Sequence, residues 1–270
     1  MTCDSHIPAL VINLERHKDR LDWFSKNAQA LGLSFERLDA VDAKDPRNAQ
    51  LIKKHKSPNA KLSDVEVSCI LSHRKAWLNL IASDFPYYAI FEDDIYICED
   101  IVELLQTESI PEGVHLIKLE TMLGKAVVSN RECMQYGKRK LHRLLTRHYG
   151  AAGYVLSRKA AKRLVELTEE CNFPVDVVLF DEKHRFWNEF KVYQLIPAAC
   201  VQDQFYSKTQ ARKGLFLSEI EEGRKARKED STRKNSINIS FEFRRIRRYF
   251  RCVAYGAPLI RMRKVIPFEF

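Results

Sequence analysis

The sequence predicts an α/β fold. Two observations carry that class: a strand, helix and strand follow one another between residues 9 and 41, and a capped amphipathic helix later runs into the apolar strand Tyr87-Tyr88-Ala89-Ile90-Phe91. Short apolar runs that alternate with helical periodicity favour parallel strands joined by crossover helices. At 270 residues, with 45% hydrophobic and 30% charged content, the chain is ordinary for a globular protein and suits one domain with a tail.

The elements follow in order. Ala9-Leu10-Val11-Ile12 is a short strand. Leu21, Phe24, Ala28 and Leu31 share one helical face, which Gly32 stops. Phe35 to Val41 is the next strand, and the polar, Lys-rich stretch from Asp42 to Lys61 reads as a loop or loose helix. Ser63 followed by Glu66 forms a capping box, opening a helix to about Ala82 that carries Val65, Cys69, Ser72, Ala76 and Leu80 on one face. Phe85-Pro86 then breaks the chain before the Tyr87 strand. A helix is expected near Glu99 to Gln106, a strand at His115 to Leu119, an irregular basic stretch from Gly124 to Lys140, and a strand at Leu141 to Leu145. In Gly150-Ala151-Ala152-Gly153-Tyr154-Val155-Leu156-Ser157, small residues permit close approach of the backbone, either to a ligand or to the sheet. Ser157 is placed to cap a helix bearing Ala161, Leu164, Val165 and Thr168.

The Tyr87 strand ends in three consecutive carboxylates, Glu92-Asp93-Asp94. Like charges a few Å apart resist ionisation unless a cation or water neutralises them, and oxygen-only ligands suit Mg²⁺ or Mn²⁺. The alternative is an acidic surface turn. Asn13, Arg16 and Arg20 follow the first strand, where open α/β sheets bind ligands. The arginines could meet phosphates or pair locally with Glu15 and Asp19. His73 sits one turn beyond Cys69 on the capped helix, where a structural role competes with a ligand-binding one.

The seven cysteines are scattered without a Cys-x-x-Cys pair, which argues against a zinc cluster or disulfide framework and for reduced thiols. The chain opens on Met1-Thr2-Cys3-Asp4-Ser5-His6 with neither a basic nor an apolar leader, and no apolar run is long enough to span a membrane, so a cytoplasmic location is expected. Of the net charge of +9, Arg224 to Lys264 holds 14 Lys and Arg against three acids, an excess of 11, which leaves the remainder at about −2. Phe243, Ile246, Phe250 and Val253 recur there at helical spacing among Arg244, Arg245, Arg247, Arg248 and Arg251. That is a basic amphipathic helix fitted to an anionic membrane surface, with docking on the core as the alternative and nucleic acid the weaker one. The expected division is 1–210 for the globular domain and 211–270 for a basic, largely helical extension.

Three segments in this order and spacing resemble glycosyltransferase family 25. They are Val11-Ile12-Asn13-Leu14-Glu15-Arg16 with Arg20; Leu62 to His73 running into Phe91-Glu92-Asp93-Asp94; and Gly150 to Ser157 with Pro174-Val175-Asp176. The resemblance covers roughly residues 8 to 205. It implies a GT-A-like, Rossmann-type fold holding a nucleotide sugar, with the acidic triplet in place of an Asp-x-Asp motif. Glu92 and Asp94 would then flank a divalent metal, Mn²⁺ ahead of Mg²⁺, and Asp93 would address the donor's ribose or sugar. Asn13, Arg16, Arg20, Ser72, His73 and Gly153 would complete the donor site, with His73 not a metal ligand. Inverting transfer needs a base, for which Asp176 matches the family's Pro-x-Asp element, with Asp181 or Glu182 as substitutes and a helix cap as the plain alternative. The implied reaction moves galactose from UDP-galactose to a lipid-linked lipooligosaccharide or lipopolysaccharide core acceptor at the cytoplasmic face of the inner membrane. Another hexose, a protein hydroxylysine acceptor, or a non-catalytic binding protein on the same fold are the alternatives. Val67 and Ser68 stand where the family commonly has glycine.

Overall fold

A computed structural model of the chain describes residues 6–210, 214–216 and 263–270. The opening is the expected crossover unit: β1 (Ala9–Asn13), α1 (Lys18–Ala30) and β2 (Phe35–Asp39), with β1 and β2 parallel. α2 (Ala49–His55) interrupts the polar stretch, and α3 (Asp64–Ala82) starts at a complete capping box, in which Ser63 Oγ accepts from the Glu66 amide and Glu66 Oε2 accepts from the Ser63 amide. β3 (Tyr87–Glu92) pairs parallel to β1. Then come β4 (Ile95–Ile97), α4 (Ile101–Leu104), β5 (Leu116–Lys118), β6 (Glu120–Thr121), β7 (Lys125–Tyr136), β8 (Arg139–Leu144), β9 (Gly153–Ser157), α5 (Arg158–Leu167), α6 (Val175–Phe180), α7 (Arg185–Glu189), β10 (Val192–Ile196), β11 (Cys200–Gln202), α8 (Asp203–Thr209) and β12 (Arg263–Val265).

Nine strands form a mixed sheet in the order β12-β7-β8-β10-β5-β9-β3-β1-β2, and β4-β11-β6 form a second, small sheet. The α/β class therefore holds, but only β1 with β2 and β3, and β5 with β10, are parallel in the large sheet. Both faces are covered. Leu10 and Ile12 of β1 pack into a core with Ile70, Trp77 and Leu80 of α3 and Leu164 of α5, while Ala9 and Val11 face Phe24 and Ala28 of α1. Burial on both faces explains why β1 is an unbroken apolar run rather than an alternating one.

Three expectations are corrected. The stretch from Gly124 to Lys140 is no irregular loop: β7 and β8 form a hairpin closed by Gly137-Lys138, with Gly137 at φ +55°. The helix expected from Glu99 to Gln106 contracts to the four residues of α4. The last eight residues, assigned to the helical extension, belong to the core: β12 pairs with β7, Thr121 Oγ1 donates to the Ile266 carbonyl, and Ala198 bridges to Phe268. The basic helix read at Phe241 to Val253 lies outside the described residues. Among the described residues no helix is long and apolar enough to cross a membrane.

Candidate active site

The cleft opens where β1 and β3 end side by side, Ile12 opposite Glu92. Strand ends there present free backbone groups and side chains to one crevice. β3 stops at Glu92 and β4 begins at Ile95, so Asp93 and Asp94 occupy the intervening bend. β4 pairs antiparallel with β11, which carries Gln202 back to the triplet.

Each carboxylate has a different environment. Asp93 is buried; its Oδ2 accepts from Asn13 Nδ2 at 2.7 Å and its Oδ1 from Arg20 Nη1 at 3.2 Å. Asp94 lies 3.5 Å from the same Arg20 nitrogen. Gln202 Nε2 spans the outer two acids, donating to Glu92 Oε2 at 3.1 Å and Asp94 Oδ1 at 3.3 Å. Burial, with the like charges of Asp94 and Asp93, pushes the Glu92 carboxyl up to about 8. Burial likewise pushes Asp94 up to about 6 against the pull of Arg20.

The donor set fits a divalent cation. Two carboxylate oxygens converge on one amide nitrogen, and Asp93 and Asp94 share the guanidinium of Arg20, so the triplet with Arg20 carries a charge of −2 when all three acids ionise. Oxygen donors of this kind select hard cations. Glu92 and Asp94 are the residues that would hold it.

Arg16 precedes α1 rather than sharing a helix turn with Arg20, and its Nε meets Asp42 Oδ2 at 2.6 Å on the rim. Ser72 is buried and its hydroxyl is engaged twice, donating to the Ser68 carbonyl and accepting from the Val41 amide, so it pins the segment after β2 to α3. His73 is buried, and burial lowers its pKa to about 4, which keeps the imidazole neutral. Its Nδ1 lies 2.9 Å from Tyr154 Oη and its Nε2 lies 3.4 Å from Glu92 Oε1.

Asp176 occupies the first turn of α6, with Pro174 as the N-cap, and its Oδ1 accepts from the Val177 amide at 3.0 Å. It is 8% exposed, and its charge is felt at both His73 and Glu92. The two substitutes face elsewhere: Glu182 accepts from the Arg147 amide, and Asp181 lies 3.8 Å from the Arg147 guanidinium.

Gly153 is corrected from a donor contact to a packing position. It sits inside β9 opposite Phe91, and a Cβ there would stand 2.2 Å from Cys200 Sγ. Gly153→Ala should therefore cost about 2 kcal/mol of stability by overpacking, and Cys200→Ala in the same chain should restore most of it. Urea midpoints of the two variants check this; a stable Gly153→Ala protein with weakened nucleotide binding would instead return Gly153 to the donor site.

Sequence reasoning missed Gln202. A glutamine at the end of a three-residue strand carries no signal of its own, and only the pairing of β11 with β4 aims it at the acids. It also passed over Cys69, which lines the cleft beside His73 and Glu92.

The profile of glycosyltransferase family 25 (LPS biosynthesis protein) matches residues 6–179. The chain belongs to glycosyltransferase family 25. It is thus an enzyme of sugar transfer, and the match spans the β1 end, α3 and the acidic triplet. The lacto-N-neotetraose biosynthesis glycosyltransferase LgtE of Neisseria meningitidis is 28% identical over 87% of this chain and 87% of its own. The lipooligosaccharide biosynthesis protein lic2B of Haemophilus influenzae is 31% identical over 73% of this chain and 77% of its own. Among solved structures, a glycosyltransferase involved in the glycosylation of the major capsid of PBCV-1 aligns with 73% of this chain and 93% of its own, at 8% identity and a TM-score of 0.40. A likeness of that size bears no weight on the fold.

Proposed function

We propose that this family 25 enzyme transfers galactose from UDP-galactose to a lipooligosaccharide or lipopolysaccharide core acceptor, with inversion, on a GT-A-like arrangement. One observation carries the reading: Glu92 and Asp94 converge on a single point at the end of β3, in a cleft that Arg16 and Arg20 also line. Carboxylates and guanidinium groups lining one cleft suit a nucleoside diphosphate with its cation. The acceptor class follows the names of the relatives, LgtE in lacto-N-neotetraose biosynthesis and lic2B in lipooligosaccharide biosynthesis.

In this reading Glu92 and Asp94 hold the cation, Mn²⁺ ahead of Mg²⁺. The cation supplies Lewis-acid stabilisation of the departing diphosphate. Arg20, held by Asp93 and Asp94, keeps those acids in place and offers positive charge at the cleft wall. Asp93, fixed by Asn13, orients toward the donor ribose or sugar. Asp176 is assigned the base that takes the acceptor hydroxyl proton. The basic segment at Phe241 to Val253 brings the enzyme to the anionic cytoplasmic leaflet where a lipid-linked acceptor resides.

Calorimetric titration of the full chain with UDP and a panel of UDP-sugars, with and without Mn²⁺, tests this. Metal-dependent UDP binding with UDP-galactose preferred is the expected result. No binding under any condition would overturn the transfer mechanism proposed for this site, and preference for another sugar would overturn the galactose assignment alone.

A further inference from the structure

We propose that Cys69, His73 and Glu92 form a second cation site in the cleft wall, selective for a thiophilic divalent ion of the Zn²⁺ class. The sulfur, one imidazole nitrogen and one carboxylate oxygen all lie within 4.8 Å of one another. Cys69 and His73 are four residues apart on α3, which places them on one helix face. Glu92 comes to them from the end of β3.

Two features make this a built site. His73 is buried and its Nδ1 is held 2.9 Å from Tyr154 Oη, which in turn accepts from Trp77 Nε1 at 2.9 Å. That chain fixes the ring and turns Nε2 toward Glu92, the outer-shell support that orients metal-ligating histidines. Cys69, His73 and Glu92 also all line the cleft, so three protein ligands leave a position open to it, the composition of open zinc sites.

The sulfur and nitrogen donors separate this site from the oxygen pair Glu92 and Asp94. Hard ions such as Mn²⁺ prefer carboxylate and water, whereas Zn²⁺ takes thiolate and imidazole, and affinity for a given mixed site rises from Mn²⁺ toward Zn²⁺. Glu92 belongs to both sets. Occupation by Zn²⁺ therefore withdraws one carboxylate from the hard-cation pair, and Zn²⁺ should inhibit the transferase competitively with Mn²⁺. That consequence rests on the proposed function; the site itself does not.

The test is a titration of the reduced, full-length chain with Co²⁺, followed by absorption and without any nucleotide. A near-ultraviolet thiolate-to-cobalt band that Zn²⁺ displaces is expected. Cys69→Ser should abolish it, and Tyr154→Phe should weaken Co²⁺ binding by about 10-fold to 100-fold through loss of the ring's support. Absence of the band, or a band that persists in Cys69→Ser, overturns the proposal. If Cys69→Ser does not fold, alkylation of the unaltered chain decides: Zn²⁺ should slow modification of Cys69, read by peptide mass spectrometry, and an unchanged rate overturns the site. UDP binding plays no part in either readout, so failure of the donor-site reading leaves this result interpretable.

Discussion

Asp94→Asn should lower kcat/KM for sugar transfer by at least about 10³-fold, close to 4 kcal/mol of transition-state stabilisation. The side chain keeps its size and its acceptor for Gln202, and Arg20 keeps Asp93, so the loss falls on cation binding. Stability should move the other way. The folded carboxyl titrates near 6, above its ordinary 3.8, because burial opposes the charge. The folded state therefore binds more protons than the unfolded one between those values, and the metal-free chain loses stability as pH rises through that window. Asp94→Asn removes that loss. Its metal-free melting temperature at pH 7 should equal or exceed that of the unaltered protein, and added Mn²⁺, which should raise the latter, should leave the variant unmoved. A melting temperature that collapsed in Asp94→Asn would make Asp94 a structural group.

What the sequence revealed follows the range over which each signal acts. The capping box at Ser63 and Glu66, the stop at Gly32 and the acids closing β3 are each encoded within a few residues, and each appears in the structure where expected. The hairpin of β7 and β8 was obscured because Lys125, Arg131, Lys138, Arg139 and Lys140 make the segment look like a charged loop, although Gly137-Lys138 between two runs is a hairpin signal. The division of labour within the triplet was implied by the family resemblance alone and by nothing in the local spacing of the three acids. Asp93 is set apart from Asp94 by Asn13, 80 residues away, and Asp94 by Gln202, 108 residues away. Gly153 misled for the same reason: glycine marks close approach, but whether to a ligand or to Cys200 is decided by β11.

Lys118→Met should destabilise the fold by about 3 to 5 kcal/mol, because it breaks a buried ion pair from one side only. Lys118 and Glu120 are both fully buried, with Nζ 3.1 Å from Glu120 Oε2 and 4.3 Å above the centre of the Phe180 ring. The ammonium also donates to the Gly150 carbonyl, and the Ala152 amide donates to the same Glu120 oxygen at 2.9 Å. Gln194 seals the strand ends by donating to the Lys118 and Glu120 carbonyls. With the lysine gone, Glu120 Oε2 keeps the Ala152 amide, and Oε1 already lacks a hydrogen-bond partner among the described residues. Burial pushes the Glu120 carboxyl up to about 7 even with Lys118 present, so the variant should protonate it near neutrality and become less stable as pH rises. Replacing both, Lys118→Met with Glu120→Gln, removes the charge as well and should recover more than half of the loss, read as urea midpoints at constant slope. Glu120 is also felt electrostatically at Glu92 and His73. The double variant therefore separates two roles: stability recovered with altered cation affinity would show that the buried pair tunes the acids above it, whereas recovery of both would confine it to the core.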